Sequence, residues 1–229
     1  MAELHPRAYL AEFIAVLALV FAGGGSIIAN EMLGPEGFGL LGIAFAHGIV
    51  LAVMVTATMH ISGGHVNPAV TIGQLVARKI DGVNALLYIL AQLLGGVVGG
   101  ILLLFAFPSS AWDLNGIKLG TPQLGAVTDI PTAVGVEAIL TFFLVFTVFA
   151  TGVDKRGTGQ IAGFAIGFVL IFDILVGGPL TGAAMNPARW FGTAAPIGFF
   201  HNHVVYWAGP IIGGVVAGLV YGYGLLKRE

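Results

Sequence analysis

Six long stretches of the chain carry almost no charge. They cover roughly residues 9–29, 40–59, 83–106, 132–152, 160–177 and 203–226. Each is close to the ~20 residues a helix needs to cross ~30 Å of hydrocarbon. Two further apolar segments, 68–77 and 187–197, are about half that length, and both begin with the Pro of an Asn-Pro-Ala triplet. The first long run, Tyr9 to Ile28, contains Glu12 and lacks a clear small-residue cleavage site. It therefore reads as a span rather than a cleaved signal. The pattern predicts an all-α membrane protein: six transmembrane helices plus two re-entrant half-helices.

Composition sharpens this. Of 229 residues, 57% are hydrophobic and 9% charged, and the mean hydropathy is +0.98. Soluble domains are far less apolar, so the expected surroundings are a lipid bilayer. Acids outnumber bases by two, and nothing suggests a nucleic-acid partner. The absence of cysteine excludes disulfides, thiolate catalysis and cysteine metal sites. Six spans put both termini on one side, together with the connections after spans 2 and 4. That side holds Arg7, Arg78, Lys79, Lys155, Arg156, Lys227 and Arg228, seven of the nine basic residues. The bias predicts cytoplasmic termini.

The two halves, about 1–110 and 130–229, repeat each other within a single channel-like domain spanning 1–229. "AEFIAVLALVF" (11–21) resembles "VEAILTFFLVF" (136–146), "LLGGVVGGILL" (93–103) resembles "IIGGVVAGLVY" (211–221), and "GHVNPAV" matches "AAMNPAR". Three spans per half is an odd number, so the second copy must cross the membrane upside down. An inverted repeat of this kind places a functional site where the halves meet, near the midplane.

The doubled triplet explains itself in that setting. Non-helical backbone is tolerated at membrane depth only inside protein or beside water. Pro68 and Pro187 suit the first helical position. Asn67 and Asn186 suit the N-cap, where the side-chain oxygen accepts from the first turn and the amide NH₂ is left to donate elsewhere. One Asn-Pro-Ala is commonly no more than a cap. Two in corresponding places bring two helix N-termini together, each carrying roughly +0.5 of an elementary charge. Such a pair favours neutral hydrogen-bond acceptors such as water and opposes cations and protons.

With these motifs the sequence resembles the aquaporins, the major intrinsic protein family, over essentially its whole length. The resemblance implies an hourglass pore in each subunit of a homotetramer, with no cofactor, no metal and no enzymatic activity. It implies that Asn67, Pro68, Ala69, Asn186, Pro187 and Ala188 form the pore motifs, and that Gly63, Gly64, His65, Gly182, Ala183 and Ala184 line the path with backbone carbonyls. It places the selectivity filter at His47, Ile174, Ala183 and Arg189. That set, with "HISGGHVNPAVT" and "VYWAGPIIGG", is similar to the tonoplast intrinsic proteins of plants. Family members that carry glycerol typically have Asp directly after the filter Arg and a basic residue four positions later. Here those positions are Trp190 and Ala194, and Tyr206-Trp207 again follows the water-channel pattern. Trp190 departs from the small residue usual in water channels and is expected to alter packing at the outer mouth.

Several side chains have two readings. Arg189, a cation in an apolar segment, is either a filter donor or an outer-mouth anchor. His47 either lines the pore or bonds between helices. Glu12 and Glu137 are either a proton relay or acceptors that hold the re-entrant loops; the resemblance favours loop-holding. Asp173 is expected to face Arg189 or accept from a loop amide. His65 is expected on the cytoplasmic side of the path, His60 as a loop hydrogen-bonder, and His201 and His203 as solvated or interfacial. The pairs Gly95/Gly99, Gly96/Gly100, Gly163/Gly167, Gly209/Gly213 and Gly214/Gly218 have the spacing for close helix contact. The leading function is passive water conduction, with small neutral solutes such as ammonia, urea, hydrogen peroxide or glycerol passing as well. A glycerol or ammonia facilitator and a proton-coupled secondary transporter are the alternatives.

Overall fold

The computed structural model describes residues 3–226. Lys227 and Arg228, counted above on the cytoplasmic side, lie outside them. Nine α-helices are found among the described residues: α1 (Pro6–Leu33), α2 (Gly39–Ser62), α3 (Pro68–Val76), α4 (Gly82–Ala106), the one-turn α5 (Ser109–Trp112), α6 (Ile130–Val148), α7 (Ala162–Thr181), α8 (Pro187–Ala194) and α9 (His203–Leu219). Six are long and apolar enough to cross a membrane, and they coincide with the six runs read from the sequence. Polar caps mark two of the helix starts. Asp81 starts α4 by accepting from the N–H groups of Val83 and Asn84, and Asp129 starts α6 by accepting from Thr132. Two spans finish in a wider turn: α6 continues as a π-helix over Phe149–Val153 and α9 over Val220–Leu225. The two turns meet where the rings of Phe149 and Tyr221 stack at 5.8 Å.

α3 and α8 are the half-length helices. α2 ends on Gly63 (φ 82°) and α7 on Gly182 (φ 78°), left-handed positions that glycine adopts without a Cβ penalty. Each chain then re-enters the protein and starts a short helix at Asn-Pro. The half-helices are exchanged between the halves: α3 packs on α9, and α8 packs on α4.

The glycine pairs account for this closeness. A Cβ on Gly95 would lie 2.2 Å from the Phe13 carbonyl oxygen, and one on Gly213 2.2 Å from that of Ala138. These contacts seat α4 on α1 and α9 on α6. The other face of the same two helices receives the half-helices. A Cβ on Gly96 would lie 2.5 Å from the Ala188 carbonyl, and one on Gly214 2.4 Å from that of Ala69. Gly167 does the same for α7 against Gly48 on α2. With no hydrophobic drive between helices in lipid, such backbone-to-backbone packing is what holds the bundle. Large apolar side chains such as Leu94, Phe105, Phe164 and Val176 point outward and are exposed, as a lipid-facing surface requires.

Candidate functional site

The two re-entrant loops are built alike from the backbone outward. Each contains residues at positive φ: Gly63, Gly64 and Val66 in the first, Gly182, Ala183 and Met185 in the second. A chain so twisted cannot bond its own N–H groups, and at this depth each must find a partner. The partners are the two buried carboxylates. Glu12 accepts from the N–H of His65 (2.9 Å) and of Val66 (2.6 Å), and from Ser62 Oγ (2.6 Å). Glu137 accepts from the N–H of Ala184 (2.9 Å) and of Met185 (2.7 Å), and from Thr181 Oγ1 (2.7 Å). Both glutamates are fully buried.

Two tyrosines, which the sequence reading passed over in this role, complete the frame. Tyr88 donates to the Ser62 carbonyl (3.0 Å) and Tyr206 to that of Thr181 (2.9 Å). Ser62 and Thr181, and Tyr88 and Tyr206, are 119 and 118 residues apart. The offset that relates the two triplets thus identifies the first pair, and one a residue shorter identifies the second.

The loops then clasp each other. Asn67 Oδ1 accepts from the Ala69 N–H (2.8 Å), as an N-cap should, and its amide donates across to the Met185 carbonyl (2.8 Å). Asn186 Oδ1 accepts from Ala188 (3.0 Å) and Arg189 (3.2 Å), and its amide donates to the Val66 carbonyl (2.8 Å). One N–H of each asparagine is therefore spent on the opposite loop. The second N–H of each amide makes no hydrogen bond among the described residues.

A narrow cavity runs past this clasp. Its wall is mostly apolar: Leu19, Leu51, Val55, Val70, Leu144, Val148, Ile166, Leu170 and Ile174. Its polar groups are few: His47, His65, Asn67, Asn186 and Arg189. His65 also borders a second cavity with Ser62, Gly63, Lys79, Asn84 and Tyr88, so the two spaces adjoin at that ring.

The four positions predicted for the filter converge on the first cavity. His47 comes from α2, Ile174 from α7, Ala183 from the second loop and Arg189 from α8. Arg189 is 3% exposed and is held at three points. Its Nη1 donates to the Gly120 carbonyl (2.8 Å) and reaches Thr193 Oγ1 at 3.5 Å, and its Nη2 lies 3.1 Å from His47 Nε2. His47 Nδ1 lies 2.9 Å from the Ile43 carbonyl. That carbonyl can only accept, so Nδ1 carries the proton and Nε2 accepts from Arg189. Gly120, from the long connection between α4 and α6, was invisible as a site residue in the sequence because its contribution is a carbonyl.

One expectation changes, that for Asp173. Trp190 packs against Phe200, just before α9, with ring centroids 6.3 Å apart. It is fully buried, its ring stacked on Tyr206 at 5.3 Å and 14°, in a cluster with Ala133, Ala184, Ala194 and Val205 behind the second loop. Asp173 is buried, yet it bonds neither Arg189 nor a loop amide, and its Oδ2 has no hydrogen-bond partner among the described residues. His65 does more than border the path: its Nδ1 lies 3.1 Å from Thr71 Oγ1 in α3.

Comparison with known proteins agrees with this architecture. The sequence model of the family described as "Major intrinsic protein" matches residues 3–221. A probable TIP-type aquaporin of Medicago truncatula is 47% identical over 229 residues, covering 95% of this chain and 87% of the relative. Aquaporin TIP2-1 of Arabidopsis thaliana is 46% identical over 222 residues, covering 94% and 86%. Among solved structures, the aquaglyceroporin from Plasmodium falciparum superposes with a TM-score of 0.85 over 97% of each chain at 24% identity, a likeness of fold. With six apolar helices, two exchanged half-helices and this match along nearly its full length, the chain belongs to the major intrinsic protein family.

Proposed function

We propose that the protein is a passive transmembrane channel for water that excludes protons and ions and also passes small neutral solutes such as ammonia, urea, hydrogen peroxide or glycerol. The observation that carries this is the placement of Arg189, Asn67 and Asn186 around one largely apolar cavity. A solute leaving water loses hydrogen bonds, and these donors replace a few of them at fixed places. A cation meets a buried guanidinium and two helix N-termini instead. The plant relatives named as aquaporins support the same reading.

Passage beyond water follows from Ile174 and Ala183, which leave two sides of the filter without a ring or a polar group. The bonds of Glu12 and Glu137 weigh against a proton-coupled transporter. Each carboxylate is already committed to two loop N–H groups and a hydroxyl, a geometry that suits a loop-holding acceptor rather than a relay. By the same family argument the functional unit is a homotetramer, and the basic residues orient both termini to the cytoplasm.

Stopped-flow shrinkage of proteoliposomes tests the function. Fast water efflux with a low activation energy and no proton conductance is the expected result. Solute flux without water flux would make the protein a facilitator, and saturable, gradient-driven uptake would make it a transporter. Native mass in mild detergent and protease access to tagged termini test the assembly and orientation.

A further inference from the structure

The four filter positions come from α2, α7, α8 and the second loop. α1 supplies none of them, yet it carries three consecutive glycines, Gly23, Gly24 and Gly25, inside its 28 residues. Glycine within a helix is less favourable than alanine by about 1 kcal/mol, so a compensating reason is expected. Gly23 has one. It is buried, and a Cβ built on it would lie 2.5 Å from His47 Nε2, 2.6 Å from Cδ2 and 3.1 Å from Cε1. The imidazole thus lies directly on the bare backbone of α1. Its two nitrogens are committed to Ile43 and Arg189. The ring cannot give way without losing one of them, and the side with room to move is the cavity it already lines.

The next residue has a parallel part. Gly24 lies against the loop that holds the other nitrogen of Arg189. Its added Cβ would meet Thr193 Cγ2 at 3.3 Å and the Leu119 carbonyl at 3.5 Å, and its own carbonyl would lie 2.8 Å from a Cβ on Gly120. Both supports of the guanidinium therefore rest on one glycine step of α1.

We propose that Gly23 is a fifth residue of the filter, a positioning residue whose missing side chain is the socket that holds the His47 ring beside Arg189 and thereby sets which neutral solutes pass. This rests on the channel reading above. A larger residue at position 23 drives the ring into the lumen and detaches Nε2 from Arg189. The filter then becomes narrower and its guanidinium less well held.

The test is a set of full-length proteins in proteoliposomes: the parent, Gly23→Ala, His47→Ala, the double variant, and Gly25→Ala as control. A Cβ on Gly25 would reach Leu103 only at 3.4 Å, an ordinary contact, so it carries the same backbone change without touching the filter. Water and urea fluxes are measured for each. Water flux is expected to fall about tenfold in Gly23→Ala, as overpacking at a constriction raises the barrier. His47→Ala and the double variant are expected to behave alike, with restored water flux and a raised urea-to-water ratio, since removing the ring removes the clash. Gly25→Ala should match the parent. Parent-like fluxes in Gly23→Ala, or a double variant as blocked as Gly23→Ala, overturn the proposal while leaving the channel intact. Absence of flux in both the parent and His47→Ala removes the channel reading itself, and this inference with it.

Discussion

The two re-entrant motifs share a frame and differ in what they hang on it. Glu12 and Glu137, Ser62 and Thr181, Tyr88 and Tyr206, and Asn67 and Asn186 make matching bonds in both halves. At the triplets' offset of 119 residues Val70 corresponds to Arg189; Thr71 corresponds to Trp190 and His65 to Ala184 likewise, and, one residue shorter, Gln92 corresponds to Pro210. In the first half the last three form a polar network: Gln92 donates to both Glu12 (2.7 Å) and Thr71 Oγ1 (3.0 Å), and His65 Nδ1 pairs with the same hydroxyl. In the second half the network is replaced by one large ring, Trp190 stacked on Tyr206. The cation appears only there. Backbone donors at membrane depth must be satisfied identically in both copies, so the frame stays symmetric. The lining has no such obligation, and the two halves differ there.

Removing the frame should have the largest effect, and an unequal one. Glu12→Ala strands two backbone N–H groups, Ser62 Oγ and the Gln92 amide, whereas Glu137→Ala strands two N–H groups and one hydroxyl. At about 1–3 kcal/mol for each unsatisfied buried group, both variants should lose most of their folded yield in detergent, Glu12→Ala more. Equal yields would mean that Gln92 adds nothing to the first motif.

Trp190→Thr gives the second half the residue of the first. The ring is wholly buried, so the variant should lose about 3 kcal/mol of stability to the cavity it leaves, read as a lower unfolding temperature. Water flux per folded molecule should hold, because the ring is not on the cavity wall. A changed solute ratio would place Trp190 in the filter after all.

Arg189→Val copies Val70. It should raise the urea-to-water permeability ratio about tenfold and admit some proton current, since the buried charge that opposes cations is gone. Light scattering and a pH-sensitive dye inside the vesicles read the two effects.

The smallest effects lie at the edges. Tyr88→Phe and Tyr206→Phe each remove one bond to a loop carbonyl and should cost about 1 kcal/mol, visible as similar drops in thermal stability. The connections between spans 1 and 2 and between spans 4 and 5 differ in kind. The first closes on a neutral bond from the Gly39 N–H to Asn30. The second closes on Asp154, which Arg156 bonds at 2.5 Å and Tyr221 at 3.2 Å. Hydrogen bonds from Arg156, first of all from its side chain, hold the Asp154 carboxyl well below the usual carboxylate range. Its folded value is depressed, so its contribution is complete above the unfolded pKa of about 4 and is lost as pH falls through the lower folded value. Hydrogen exchange near residues 154–157 should therefore rise in strong acid, while exchange near residues 34–39 should not respond to that group.

Much of the fold and part of the site were legible in the chain. Spans are long apolar runs, half-helices are short ones, and the doubled Asn-Pro-Ala marks two helix starts at known places. Glu12 and Glu137 stand out because carboxylates are rare in apolar runs. Backbone acceptors and small residues do not stand out in this way. Nothing local distinguishes Gly120, whose carbonyl holds Arg189, from the other glycines, or Gly23 from its two neighbours.

The sequence by itself determined the crossings, the two half-helix starts and the identity of the asparagines, since each depends on the length, period or order of residues along the chain. Only the tertiary structure decided that His47 meets Arg189 across 142 residues, that Trp190 is buried, and that Asp173 bonds to neither of its expected partners. Those outcomes depend on which helix faces lie within a few ångströms of each other, and packing between distant segments is what sets that distance.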